Sequence, residues 1–114
     1  MNMIIKNGKL VFADEIIAAD IEVRGETIIN IGLDLENESA SVTDASGKFV
    51  LPGAIDVHTH LAMPYSGTIS ADDYFTGTRA ALCGGTTTVF DFAGQDSGES
   101  FADCLKRRKA MAEK

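Results

Sequence analysis

Apolar and polar positions change their rhythm along this chain near residue 53. Before it, short runs rich in β-branched residues are separated by turn residues, the pattern of strands. Met3–Lys6 and Lys9–Phe12 flank Asn7-Gly8, which predicts a two-residue hairpin because a type I′ turn needs φ > 0 at both central positions. Ile16–Arg24 and Thr27–Ile31 flank Gly25-Glu26 and predict a second hairpin; Val42–Asp44 and Lys48–Leu51 flank Ala45-Ser46-Gly47 and predict a third. Residues 1–51 are therefore expected to form a β-meander or half of a sandwich.

After Pro52-Gly53 the period lengthens. Ala54–His60 is an apolar strand ending in polar groups. Ser70 is placed to cap a helix whose apolar positions Tyr74, Thr78, Ala81 and Leu82 keep helical spacing, with Gly84 as the residue just past its end. Thr86–Phe92 is a second strand, mostly apolar and β-branched, as expected where both faces are covered. A turn through Gly94 and Gly98 leads to a second helix, on which Phe101, Leu105 and Arg108 share a face with Cys104 and Met111. The order β-α-β-α is that of a parallel α/β sheet or barrel. Lys106–Lys114 carries no Gly or Pro stop signal, and two strands cannot close a barrel, so an unfinished fold is expected.

Composition narrows the function classes. Ten basic and seventeen acidic residues in 114 give a formal net charge of −7, which argues against a nucleic-acid partner. Lys106-Arg107-Arg108-Lys109, the one basic cluster, reads as a solvated helix face. No apolar run reaches the ~18–20 residues of a membrane span, and Met1–Lys6 lacks the head and apolar stretch of a secretory signal. Cys83 and Cys104 form no CxxC pattern and read as buried or half-buried free thiols. A cytoplasmic protein without membrane or nucleic-acid partner is the expectation.

Both histidines lie in Asp56-Val57-His58-Thr59-His60. On a strand, Asp56, His58 and His60 face one side and Val57 and Thr59 the other. The two imidazoles then sit together at the strand's carboxyl end, where α/β folds bind ligands. Two neutral imidazoles so placed can chelate Zn²⁺ or a similar cation; taken alone, the pair reads first as two hydrogen-bonded histidines at a strand end. Asp56 and Asp91 read as structural hydrogen-bonding carboxylates ahead of ligands.

The surroundings add a family. Leu51-Pro52-Gly53-Ala54-Ile55-Asp56-Val57-His58-Thr59-His60 resembles the first barrel strand of the amidohydrolase superfamily, in which the HxH pair binds the more buried metal. The resemblance runs on through Leu61–Thr68, Asp72-Asp73-Tyr74 and Ala80–Thr87, and is greatest to the dihydropyrimidinase and hydantoinase branch, whose members share HTHL, MP, GT, DD and GGTT at these intervals. Residues 1–51 also resemble the start of those enzymes. Ala62 departs from the branch, where many hydantoinases have an acidic residue, and from many dihydroorotases, which place there an Arg for a substrate carboxylate. Non-catalytic relatives in neuronal signalling generally lack the metal histidines, whereas this chain keeps both.

The resemblance implies an α/β fold: residues 1–52 a β-rich part of a composite sandwich domain, and 53–114 the first two β/α units of an incomplete, metal-dependent (β/α)₈ barrel. A full barrel takes about 250 residues, so the chain is expected to be an N-terminal fragment. By the same resemblance the complete enzyme holds two divalent metals per subunit, usually Zn²⁺, bridged by a carboxylated lysine and a hydroxide, and opens dihydropyrimidine or hydantoin rings to N-carbamoyl amino acids, commonly as a homotetramer. Only His58 and His60 carry over as metal ligands; the bridging lysine, later histidines and catalytic Asp belong to later strands, so no catalytic residue is expected in this chain, which alone should be inactive. Met63 and Tyr65, on the loop matching one that lines the hydantoinase substituent pocket, are candidates for substrate contact or for covering the adjoining helix. The alternative from another class is a truncated, non-catalytic descendant serving as a binding or assembly module.

Overall fold

The computed structural model describes residues 2–113, so the expectations that touch Met1 and Lys114 lie partly outside the described residues. The chain divides into two compact units, Met1–Pro52 and Gly53–Lys114.

The first unit is a five-stranded sheet built from β1 (Asn2–Val11), β2 (Ile16–Arg24), β3 (Thr27–Gly32), β4 (Ser41–Asp44) and β5 (Phe49–Val50), in the order β3-β2-β1-β4 with β5 also on β1. The hairpin expected at Gly25-Glu26 forms: β2 and β3 pair antiparallel and Gly25 takes φ 63°. The one expected at Asn7-Gly8 does not. Instead β1 runs straight through, antiparallel to β2, with an extra residue between the pairs Ile5↔Ile21 and Gly8↔Ala19. Asn7 keeps the positive φ of 63° that its residue type suggested, but uses it for a bulge. Its N–H donates to the buried Asp20 carboxylate at 2.8 Å, a partner 13 positions away that local pattern does not reveal.

That bulge also undoes the third expected hairpin. β4 and β5 pair not with each other but, both parallel, with β1, β4 before the bulge (Met3↔Ser41 to Lys6↔Asp44) and β5 beyond it (Lys9↔Phe49, Leu10↔Val50). The Ala45–Lys48 turn steps across it, Ala45 N–H donating to Lys6 O at 2.8 Å and Lys9 N–H to Lys48 O at 3.0 Å. The sheet packs Leu10, Ala19 and Ile21 against Ile5, Ile17, Val23 and Val50.

The second unit contains β6 (Ala54–Thr59), the short hairpin β7–β8 (Pro64–Tyr65 and Thr68–Ile69), α1 (Tyr74–Cys83), β9 (Thr86–Asp91) and α2 (Phe101–Ala112). β6 and β9 are parallel, Ala54 opposite Thr86 and Thr59 opposite Asp91, with α1 connecting them. The helix starts later than expected. Ser70 closes the β7–β8 hairpin, its hydroxyl accepting Met63 N–H at 2.8 Å, while Asp73 and Thr76 cap α1 reciprocally at 2.7 and 3.1 Å. At the other end Gly84 is the cap itself, its N–H reaching Ala80 O and Ala81 O, and the left-handed residue is Gly85 at φ 87°. The unexpected hairpin turns at Ser66 and Gly67, φ 47° and 83°, the primed geometry that strand twist favours. Both thiols are free; Cys104 is buried but Cys83 is exposed, on a helix none of whose residues is fully buried.

Candidate metal centre

Strand alternation carries His58 and His60 to one side of the end of β6, and their Nε2 atoms converge to 3.1 Å. The rings meet edge to face, centroids 5.0 Å apart at 70°. Two imidazole nitrogens so close need either a shared proton or a cation between them. With metal–nitrogen bonds of ~2.0–2.1 Å, a 3.1 Å separation subtends ~95–100°, close to tetrahedral, so the pair fits two positions of a Zn²⁺-like ion. Among the described residues no cluster of three or more His, Cys, Asp or Glu exists, so the histidine pair stands without a third such group beside it there. The Asp56 carboxylate turns back to accept the His58 backbone N–H at 3.1 Å.

Sequence reasoning missed the floor of this site. Phe92, which follows β9 and donates its N–H to Thr59 O at 3.2 Å, lies under both imidazoles, 4.6 Å from His58 and 4.8 Å from His60, nearly parallel to the latter at 23°. Its position at the carboxyl end of the second parallel strand was the available signal.

His60 is oriented from its other nitrogen. Nδ1 lies 3.1 Å from Met63 Sδ, and a proton held there leaves the Nε2 lone pair free for a metal. Met63 and Tyr65, the two candidate substrate contacts, line with His60, Thr68, Ile69 and Ser70 an open cleft of about 410 Å³. Tyr65 stands 75% exposed on the hairpin. A larger cavity of about 690 Å³ lies on the helix side beside Tyr74, Val89 and Met111; neither histidine lines it, and the convergent nitrogens favour the smaller cleft as the chemical site.

Behind the histidines is a buried polar network. Asp91 accepts Leu61 N–H (2.8 Å), the Thr59 hydroxyl (3.3 Å) and the Tyr74 hydroxyl (2.7 Å), and pairs with Arg108. Burial pushes the Asp91 carboxyl up, but the Leu61 N–H, the Tyr74 hydroxyl and the Arg108 charge together outweigh it and hold it below its ordinary range. Burial, then the Asp91 hydrogen bond and charge, push Tyr74 up to about 12. Arg108 corrects the reading of residues 106–109 as a uniformly solvated face: Lys106 and Lys109 are exposed, Arg107 is half-buried against Glu99, and Arg108 is buried. The signal was present, since Arg108 shares its helix face with Cys104 and Met111.

Comparison with known proteins gives the chain a family. The amidohydrolase family model matches residues 49–113. The chain is 48% identical over 106 residues to a D-hydantoinase of Geobacillus stearothermophilus, covering 93% of the chain and 22% of that protein. It is 39% identical over 112 residues to a dihydropyrimidinase of Dictyostelium discoideum, covering 97% and 22%. The solved structure of a dihydropyrimidinase from Brevibacillus agri superposes with a TM-score of 0.93 at 43% identity, over 97% of this chain and 24% of that one. The chain thus spans about a quarter of the length of the relatives it matches. With its parallel β-α-β unit and histidine pair, the chain belongs to the amidohydrolase family, on the branch of the hydantoinases and dihydropyrimidinases.

Proposed function

We propose that this chain forms part of a metal-dependent hydrolase of cyclic amides, opening dihydropyrimidine or hydantoin rings to N-carbamoyl amino acids. The observation that carries the proposal is the approach of His58 Nε2 to His60 Nε2 at the carboxyl end of β6. In it, residues 1–52 belong to a composite sandwich domain, and β6-α1-β9-α2 are the first two β/α units of a (β/α)₈ barrel, a placement supported by the superposition on a solved dihydropyrimidinase. His58 and His60 are the metal ligands, and Zn²⁺ suits two imidazoles held near the tetrahedral angle. A divalent ion bound there supplies Lewis acidity, lowering the pKa of water toward ~7 and polarising an amide carbonyl.

The chain's own residues prepare that chemistry. Phe92 packs against both rings and Met63 lies at the His60 Nδ1, which favours the orientation that brings the two Nε2 atoms together. The cleft beside His60 is walled by Met63, Tyr65 and Ile69, which suits the exocyclic substituent of a small ring better than a charged group. Ala62 offers no side-chain contact to a substrate carboxylate. The proton-transferring group and the remaining ligands come from outside these residues. A cytoplasmic homotetramer completes the proposal, with no nucleic-acid or membrane partner; the net charge of −7 supports the former point, and no helix among the described residues is long and apolar enough to cross a membrane.

The test is metal content and ring opening of the protein that carries this chain, against dihydrouracil and hydantoin. Wild type is expected to hold divalent metal and turn both over, and His58→Ala/His60→Ala to lose bound metal and activity together. Hydrolysis that survives the double substitution would refute the proposal. A folded protein that takes up no divalent ion would favour the non-catalytic binding module.

A further inference from the structure

We propose that Asp91 and Arg108 are positioning residues for the histidine pair: a carboxylate–guanidinium clamp, its arginine buried and its carboxylate half-buried, carried on β9 and α2, that sets the backbone leaving His60. In its consequence for metal binding the inference rests on the proposed metal centre.

The clamp grips the point where strand geometry stops helping. β6 ends at Thr59, and beyond it the chain must turn while His60 still points at His58. Ala62 makes that turn at φ 45°, a left-handed conformation that a residue with a Cβ keeps only where its surroundings over-determine it. They do so here. Leu61 N–H donates to Asp91 Oδ1 at 2.8 Å, Leu61 O accepts from Arg108 Nη2 at 2.6 Å, and Ala62 O accepts from Arg108 Nη1 at 3.2 Å. Ala62 N–H donates to Asp72 O at 2.8 Å. All four backbone polar groups of Leu61 and Ala62 are thus held, three of them by one ion pair whose arginine lies 46 and 47 residues along the chain. His60 precedes this stretch and Met63, its Nδ1 neighbour, follows it, so a shift of the turn moves both sides of one imidazole.

The internal geometry of the pair points the same way. Arg108 is 5% exposed and its Nε has no hydrogen-bond partner among the described residues, while both Nη atoms are spent on the two carbonyls and Asp91. A buried arginine with an orphaned donor is a poor way to secure a helix, since a well-packed apolar residue commonly does as well or better. Its forked donors do what an apolar side chain cannot, fixing two successive carbonyls at once. Tyr74 braces the arrangement, its hydroxyl on Asp91 and its ring 5.1 Å from the guanidinium.

The experiment compares, in the protein that carries this chain, wild type with Arg108→Met and Arg108→Lys by two readouts: amide hydrogen exchange in the metal-free form, and Co²⁺ affinity from the visible spectrum. Loss of the fork should speed exchange at the Leu61 amide about tenfold while the amides of the β6–β9 ladder stay near wild type, and weaken Co²⁺ binding about tenfold. If Arg108→Met does not fold, Arg108→Lys decides, because it keeps a positive charge beside Asp91 but cannot hold both carbonyls. Wild-type exchange and affinity in folded Arg108→Lys would overturn the clamp. So would acceleration of every amide in step, the mark of a merely structural residue. His58→Ala/His60→Ala separates the two ideas: if it binds Co²⁺ as well as wild type the metal centre is wrong, and the exchange readout alone then decides the clamp.

Discussion

Gly77 is the fourth residue of α1, inside the helix, where helix propensity says that alanine is better by ~1 kcal/mol. The tertiary structure says the opposite. A Cβ at residue 77 would fall well inside 3.0 Å of Leu61 Cδ2, a separation that real Cβ atoms essentially never show, and 3.3 Å from Asp72 Cβ. Leu61 is 8% exposed and its backbone is held at both N–H and C=O, so relief must come from an off-rotamer side chain or from withdrawal of α1 by roughly 1 Å. Overpacking of this kind costs ~1–3 kcal/mol. Set against the propensity gain, Gly77→Ala should destabilise the Gly53–Lys114 unit by ~1 kcal/mol, a fall in Tm of about 4–8 °C for a domain of this size. Urea and thermal unfolding followed by far-ultraviolet circular dichroism measure it. Leu61→Ala empties the contested volume, so in that background the same substitution should become stabilising by ~0.5–1 kcal/mol, reversing its sign. An increase in stability for Gly77→Ala alone, or one sign in both backgrounds, refutes the packing argument.

In the N-terminal unit, Asn7→Ala should cost ~1–2 kcal/mol, because Asn7 holds φ 63° and its side chain bonds Asp44 at 3.0 Å. Asn7→Gly, which loses only the side-chain bond, should cost less; urea midpoints give the order, and its reversal would show that the bulge is not strained. Acid should weaken the second unit through Glu99, whose carboxyl is lowered from 4.5 to about 2 first by the Arg107 hydrogen bond. A depressed carboxylate contributes fully above its unfolded value, and that contribution is lost as pH falls from about 4.5 through about 2. Unfolding midpoints between pH 7 and pH 2 should therefore drop less steeply for Glu99→Gln than for wild type, and parallel curves would count against the Arg107–Glu99 pair.

What the sequence by itself determined is what depends on neighbours in the chain. Alternation at period two placed His58 and His60 on one side of a strand; the order of strand and helix periods gave the parallel β6–α1–β9 unit; Gly25 marked a turn that formed. The family motif was legible for the same reason, as a run of residue types at short spacing. What only the tertiary structure decided is what depends on a partner far along the chain. Asn7-Gly8 has the local chemistry of a hairpin turn, and became a bulge because β2 brings Asp20 to its N–H and β4 and β5 take the opposite edge of β1. Ser70 has the chemistry of a helix cap, yet Met63 claims its hydroxyl and Asp73 caps in its place. Arg108 within a basic tetrad reads as solvated until β9 supplies Asp91 and the turn after His60 supplies two carbonyls. Phe92 enters the site only because β9 lies beside β6. A short-range pattern fixes the direction in which a side chain or an N–H points. Which group it meets there is decided by chain closure between distant segments, and burial makes that meeting binding, since a polar group removed from water must find its partner within the fold.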